Sequence, residues 1–574
     1  MRQLLSLAIL CSLIFVSCGS SDKKTDAQHR DAKGGVKYGG TFRYNEVEYL
    51  KSIYPLSVTE VTGHRIITQI YEGLVRFNPK DLSVEPLLAK SWEVNNDATV
   101  YTFHLQRGVT FHDDPCFADG KGRAVNAQDF VYCFDLLCTP DPKNQGFSFF
   151  RDVIKGANEV YTAREKNKGD KSVELGVKAL DDSTLQITLT KPTTDLLSRL
   201  ALPFVSVFPK EAVEKYKGDI LFHTVGTGPF QLKALKQDEA VILTRNEKYW
   251  GKDEFGNQLP YLDGVKVSFI KEDKTEMLEL VKGNLEMKYR LPFSMIDEIL
   301  DNNKQLKGDY KKFVLQSIPE FSNQFYGFLI PDKVTGNKNV RLAFNYAIDR
   351  QKIADYTAKG EGVPALNGFV PLGMPGYDNS LVKGYKFDAA KAKEYLAKAG
   401  YPNGKGFPKI TLETNSGGGR NLDVAEAIKK MLTENLNIEV ELTQVVWAQH
   451  TNNVETGKSN FWRYGWVADY PDPNNFLNLF YGKNVPKTME EAAYTDPTRY
   501  VNKTFDALYE KALVTVNAEE RNKIYAQLDQ MIVDDAPVLL IYYSMNRRLI
   551  QPYVKNFNNN GMEYRSFREV WFDK

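Results

Sequence analysis

Six histidines offer the first opportunity for catalysis or metal binding: His29, His64, His104, His112, His223 and His450. None sits in an H-E-x-x-H pattern, which would place two zinc ligands and a general base on one helical face. No G-x-S-x-G elbow, Walker A loop or G-x-G-x-x-G turn after a strand is present. Gly226-Thr227-Gly228-Pro229 is too short for a dinucleotide fingerprint, and Gly417-Gly418-Gly419-Arg420 lacks the Lys-Ser/Thr anchor of a phosphate loop. His104 and His112 lie near Asp113 and Asp114, a spacing that fits a metal site but fits a polar turn after a strand better. Cys133 and Cys138 have no histidine beside them, so a zinc site is not expected there. Together with Cys116 they read as small buried hydrophobes, with one disulfide left open. The chain therefore shows no poised nucleophile, no cofactor motif and no metal centre. The expectation is a protein that binds rather than one that turns over.

The elements that must position any site alternate between hairpins and helices. Gly39 to Tyr44 reads as a first strand. Trp92-Glu93-Val94 and Thr99 to Leu105 flank the turn signal Asn95-Asn96-Asp97, with Tyr101, Phe103 and Leu105 on one face. Val177 to Leu180 and Leu185 to Leu189 repeat that pattern around Asp181-Asp182-Ser183. Asp388 caps a helix running to Ala399, whose apolar stripe is Ala392, Tyr395, Leu396 and Ala399; Gly400 and Pro402 stop it. A second helix is predicted over about Val340 to Ala358, with Leu342, Ala343, Tyr346 and Ala347 facing inward. A third spans about Val424 to Leu432, capped by Asn421 or Asp423. Strands at Ile410 to Glu413 and Glu439 to Val446 bracket it as a βαβ unit. The mixture argues a large α/β protein of several lobes.

Composition agrees. The 574 residues correspond to three or four units of ~150 residues. The chain is 42% hydrophobic and 26% charged, which excludes long disorder for its bulk. Its 74 Lys+Arg stand against 73 Asp+Glu, a balance that argues against a nucleic-acid partner. The 33 Phe, 31 Tyr and 6 Trp exceed what a plain core requires and point to a cleft that grips ligands with rings.

At the N-terminus, Arg2 precedes an apolar run from Leu4 to Val16. A bilayer-spanning helix takes ~20 residues, so 1–17 reads as a signal peptide. Phe15-Val16-Ser17-Cys18-Gly19 resembles a bacterial lipobox, with Phe where Leu is usual. It implies cleavage before Cys18 and acylation there, followed by a flexible tether over 18–37. No later stretch is long and apolar enough to span a membrane. A periplasmic or cell-surface body held by lipid is expected.

Several blocks, in order, resemble the extracellular solute-binding proteins of family 5, which feed dipeptide and oligopeptide ABC importers. They are Gln69–Val75; Leu88–Trp92 with Tyr101–Leu105 and Gly108–Asp113; Asn126–Val131; Gly226–Phe230; Arg245–Trp250; Val340–Arg350; and Gly465–Pro473. The resemblance implies a two-lobed periplasmic-binding-protein fold with an extra subdomain on lobe I and two interlobe crossings. Lobe I would cover 38–319, with its subdomain at about 72–221, lobe II 320–535, and 536–574 would return to lobe I. It implies a monomer without cofactor whose partners are a peptide ligand and the permease subunits of an ABC transporter.

The resemblance also implies a site. A peptide held without reading its sequence must be gripped by its constant parts, and a buried acid pairs well with its ammonium. Asp469 stands where the family's amino-binding Asp lies; the bland reading is a turn before Pro471. Trp447 and Trp466 match positions that line side-chain pockets, though alone each reads as core. Arg463 matches a basic position under those pockets. Arg420 reaches the family's carboxylate-binding position only through a gap, and reads otherwise as a solvated loop residue. Tyr543 and Ser544 fall near the second crossing, Ser544 where the family often has Tyr. The alternatives are the same fold binding a metal chelate, a sugar or a cell-wall fragment, or an extracytoplasmic hydrolase or chaperone.

Overall fold

The computed structural model describes residues 30–167, 169–416 and 419–574. The expected signal peptide, Cys18 and most of the expected tether lie outside the described residues. Two long strands, Val314–Phe328 and Val538–Ile550, organise the chain. They pair antiparallel along their length, from Val314↔Ile550 to Gly327↔Val538. The register shifts between Pro319 and Asn323, where the pairing is interrupted. On one side of that break Met287–Tyr289 adds to Arg548–Ile550. On the other, Phe461–Val467 pairs with Ser322–Phe328, followed by Ile410–Asn415 and Val440–Val445. A seven-stranded sheet thus runs through the middle of the molecule, with Gly362–Pro364 attached to Val538–Ile550.

A second sheet of four strands contains Phe230–Lys236, Ala240–Arg245, Gly264–Ser268 and Thr41–Asn45, the last two parallel. A third contains Ala89–Val94, Val100–Leu105, Thr184–Thr188 and Val177–Asp181. Both predicted hairpins are in it: Trp92 opposes Phe103, and Tyr101, Phe103 and Leu105 are buried on one face. The Asn95 side-chain oxygen closes the first turn by accepting the N–H groups of Thr99 and Val100, both at 2.9 Å. These two sheets share one apolar core, and two more cores cover the two faces of the central sheet. The architecture is a two-lobed α/β fold with the long strands passing between the lobes.

The helix Ala389–Lys398 forms as expected, with the Asp388 carboxylate accepting the Lys391 N–H at 2.9 Å. The βαβ unit is also present, its strands parallel with Ile410 beside Val440. Two expectations are corrected. The predicted helix Val340–Ala358 is two segments: Lys338–Ala347 ends where Ile348 turns extended, and Asp349 caps a new turn by accepting the Lys352 N–H at 3.0 Å. The helix predicted at Val424 begins at Gly419, so Asn421 and Asp423 lie inside it rather than ahead of its first turn. Cys116, Cys133 and Cys138 are all free thiols, with Cys133 and Cys138 buried.

Candidate functional site: an interlobe cavity

A cavity of about 380 Å³ opens between the lobes, within the ~300–1,000 Å³ usual for small-molecule sites. One part of its wall comes from the helix Val61–Ile67 with His64 and Arg65, the turn at Phe204, and the end of Met287–Tyr289 with Tyr289 and the following Arg290. Another comes from the end of Phe461–Val467, which delivers Val467, Ala468 and Asp469. Glu320 lies at the strand break, and Glu563, Tyr564 and Arg565 come from the C-terminal segment.

Asp469 follows the strand directly and is held by Asn475. The Asp469 N–H donates to the Asn475 side-chain oxygen at 3.2 Å, and the Asn475 amide returns a bond to the carboxylate at 3.1 Å. The same oxygen accepts the Trp466 indole N–H at 2.8 Å. One asparagine therefore fixes both the acid and the neighbouring ring. Asp469 is an exposed residue that also lines the cavity. Partial desolvation by the surrounding protein raises its pKa above the ordinary carboxylate value, while the Asn475 bond and the charge of Arg199 pull the other way. An acid so placed gains most from a ligand cation that replaces lost water.

Trp466 also lines a small apolar recess with Phe325, Tyr464, Leu479 and Tyr494. Trp447 starts the helix Trp447–Glu455, is half exposed, and stacks on Tyr464 with ring centroids 6.0 Å apart. Arg463 points to the other side of its strand, where it bonds the side-chain oxygens of Gln324 and Asn415 (3.2 Å to the latter). Arg420, at the start of its helix, is half-buried and within electrostatic reach of Arg463 and Glu361. Ser544 is half-buried on the crossing strand, its hydroxyl 3.2 Å from that of Ser322 on the other. Tyr543 is elsewhere: its ring is enclosed in one core and its hydroxyl donates to the Gly368 carbonyl at 2.6 Å. It holds the sheet and does not line the cavity. Of the expected site residues the structure places Asp469 alone in the cavity wall and ties Trp466 to it through Asn475; Trp447, Arg463, Arg420, Ser544 and Tyr543 do not line the cavity.

The cavity wall contains residues that the sequence did not single out: Arg65, Tyr289, Arg290, Glu320, Glu563 and Arg565. The lobes also touch beyond the cavity. The Asn474 amide donates to Asp195 at 3.2 Å, and the Arg199 guanidinium lies 5.7 Å from the Tyr470 ring centre. Among the described residues no group of three His, Cys, Asp or Glu is arranged for a metal ion. His112 is buried, its ring nitrogen 2.9 Å from the Gly228 carbonyl, and Asp113 is paired with Lys121 and Lys248. His64 lines the cavity, but its ring nitrogen is 2.9 Å from the Val58 carbonyl.

Two α/β lobes joined by paired crossing strands around a mostly apolar cavity with a few aimed charges define a solute-binding protein. The family model described as bacterial extracellular solute-binding proteins, family 5 Middle, matches residues 83–487, and the chain belongs to that family. Heme-binding protein A of Haemophilus influenzae is 28% identical over 585 aligned positions, covering 100% of this chain and 99% of the relative. Oligopeptide-binding protein OppA of Bacillus subtilis is 27% identical, covering 99% and 98%. The solved structure of Helicobacter pylori DppA with the peptide STSA matches with a TM-score of 0.74 at 26% identity, covering 94% of this chain and 99% of that one. Membership in this family assigns the chain a binding role rather than an enzymatic one. Among the described residues no helix is long and apolar enough to cross a membrane.

Proposed function

We propose that this protein is the lipid-anchored substrate-binding component of an ABC importer, capturing peptides in the interlobe cavity and presenting them to the permease subunits as a monomer. The observation that carries the reading is Asp469: a carboxylate at the wall of the interlobe cavity, held in place by the Asn475 amide. An α-ammonium supplies the missing counter-charge. In this reading Trp466, tied to Asp469 through Asn475, and Trp447 supply sequence-tolerant walls for side chains that reach beyond the cavity, and Arg463, Arg420 and Ser544 are further candidate contacts outside its lining. Relatives named for oligopeptide binding and a neighbour solved with a peptide support this choice.

In this reading lobe I is 38–319 plus 536–574, with the subdomain at about 72–221, and lobe II is 320–535. Closure is a hinge motion at the two crossing strands, stabilised by ligand contacts made only when the lobes meet. Residues 1–17 are removed and Cys18 carries the lipid. A second reading, capture of a tetrapyrrole or other non-peptide solute, is favoured by the heme-binding relative. Native mass spectrometry of the purified protein separates the two, since peptides and a tetrapyrrole differ in mass and absorbance. Peptides bound to wild type and absent from Asp469→Ala are expected; a bound tetrapyrrole retained by that variant refutes the first reading. Cys18→Ser should release the protein from the membrane fraction, and unchanged membrane retention refutes the anchor.

A further inference from the structure

Tyr289 sits at the cavity wall with three guanidinium groups around its ring. The central carbons of Arg65, Arg290 and Arg565 lie 4.6, 5.1 and 5.2 Å from the ring centre. A fourth, Arg548, shares the carboxylate Glu563 at 3.1 Å. Their counter-ions are three. Glu46 pairs with Arg65 and Arg565, Glu563 with Arg565, Arg548 and Arg65, and Glu320 with Arg290 at 2.7 Å. Four cations against three anions leave this network one negative charge short.

A buried surplus charge is expensive unless something pairs with it. The hydrogen-bond count agrees. Arg565 Nη2 and Arg65 Nε are buried without a hydrogen-bond acceptor, although a guanidinium has five N–H donors to satisfy. Both side chains line the cavity. Arg290 also lines it, half exposed, and its backbone is held at φ +55°, a left-handed conformation that an arginine adopts at a cost. Its pairing with Glu320 and its Nε–H bond to the Tyr289 hydroxyl at 3.1 Å keep the fork in place. Such a fork suits a carboxylate, which it can bind through two parallel hydrogen bonds.

We propose that the Tyr289 face of the cavity is a subsite for a carboxylate of the ligand, with Arg290 as its accessible contact and Arg65 and Arg565 as the charge behind it. The proposal rests on the peptide reading above and deepens it. The cavity would be bipolar, taking an ammonium at Asp469 and a carboxylate at Tyr289, and would select short zwitterionic ligands over capped ones. The carboxylate comes either from the peptide C-terminus or from an acidic side chain.

Titration calorimetry on the full-length protein distinguishes these, using Ala-Ala-Ala, its N-acetyl form, its C-terminal amide and Ala-Glu-Ala amide. Wild type should bind the free acid at least tenfold more tightly than the amide. The charge-neutral double variant Arg290→Gln/Glu320→Gln, which leaves no carboxylate stranded, should cut that ratio below threefold. Recovery of wild-type affinity by Ala-Glu-Ala amide supports the subsite with an acidic side chain as the source, and no recovery supports it with the C-terminus. Acid and amide bound equally by wild type, while N-acetylation weakens binding, overturns the subsite and leaves the peptide reading standing. An acid-to-amide ratio unchanged in the double variant also overturns it. Failure of all four probes to bind at millimolar concentration overturns the peptide reading and the subsite with it.

Discussion

Asp469→Asn is the sharpest test of ammonium capture. Asparagine keeps the shape and can still accept the Asn475 amide bond now made at 3.1 Å, so Trp466 should stay in place. Only the charge is removed. Truncating one partner of a buried charged pair costs about 2–5 kcal/mol. Because this carboxylate remains open to the cavity, the lower part of that range applies, about 2–3 kcal/mol, or roughly 30- to 150-fold in Kd. The assay is calorimetry with Ala-Ala-Ala and its N-acetyl form. The acetylated peptide, already without a cation, should bind wild type and variant alike. The pH dependence follows from the raised pKa. An ammonium favours the ionised acid, so the carboxylate has a lower pKa in the complex than in the free protein. Affinity is complete above the free-protein pKa and falls as pH drops through it, approaching tenfold per unit. Binding in that window releases a proton, and Asp469→Asn should abolish both effects. A variant within threefold of wild type for the free peptide, or one that weakens both peptides equally, refutes ammonium capture at this residue.

Two further outcomes are expected. Burial pushes the Asp496 carboxyl up to about 7 despite bonds from the Thr498 hydroxyl and nearby backbone N–H groups. The folded protein then holds a proton that the unfolded chain has lost, so stability falls as pH rises through 7. Between pH 6 and 8 that loss is about 1.4 kcal/mol, and Asp496→Asn should remove it, as read by the difference in Tm; an unchanged pH slope refutes the assignment. Asn474→Ala deletes the bond to Asp195 that joins the lobes, and a net ~0.5–1.5 kcal/mol should shift the free protein toward open forms. Small-angle scattering should show a larger radius of gyration, and no change means that this contact does not hold the lobes together.

What the sequence revealed depended on how local the cause was. The hairpins at Asn95 and Asp181 and the helix after Asp388 are fixed by neighbours a few residues apart, and their turn and cap residues act as expected. The break at Ile348-Asp349 was also encoded locally, by an aspartate that prefers to cap, but an apolar stripe running past it concealed the signal. Tyr543 shows a different limit. Val538 to Tyr543 is buried on both faces, so no alternation of polar and apolar residues marks the side that meets a ligand. Tyr542 enters one core and Tyr543 the other. Asp469 was legible only because a string of ordered blocks fixed its place in a known arrangement. The guanidinium cluster had no such guide: Arg65, Tyr289, Glu320 and Arg565 come from four distant segments, and each alone reads as a surface or core residue. Their meeting depends on the crossing strands, whose register break brings Glu320 to the cavity beside Arg290. The crossing strands themselves supply Glu320, the partner of Arg290, and Arg548, which shares Glu563 with Arg565. If the lobes close by hinging at these strands, as proposed above, closure bears directly on the Arg290–Glu320 pair, and recognition of the anionic end is coupled to it.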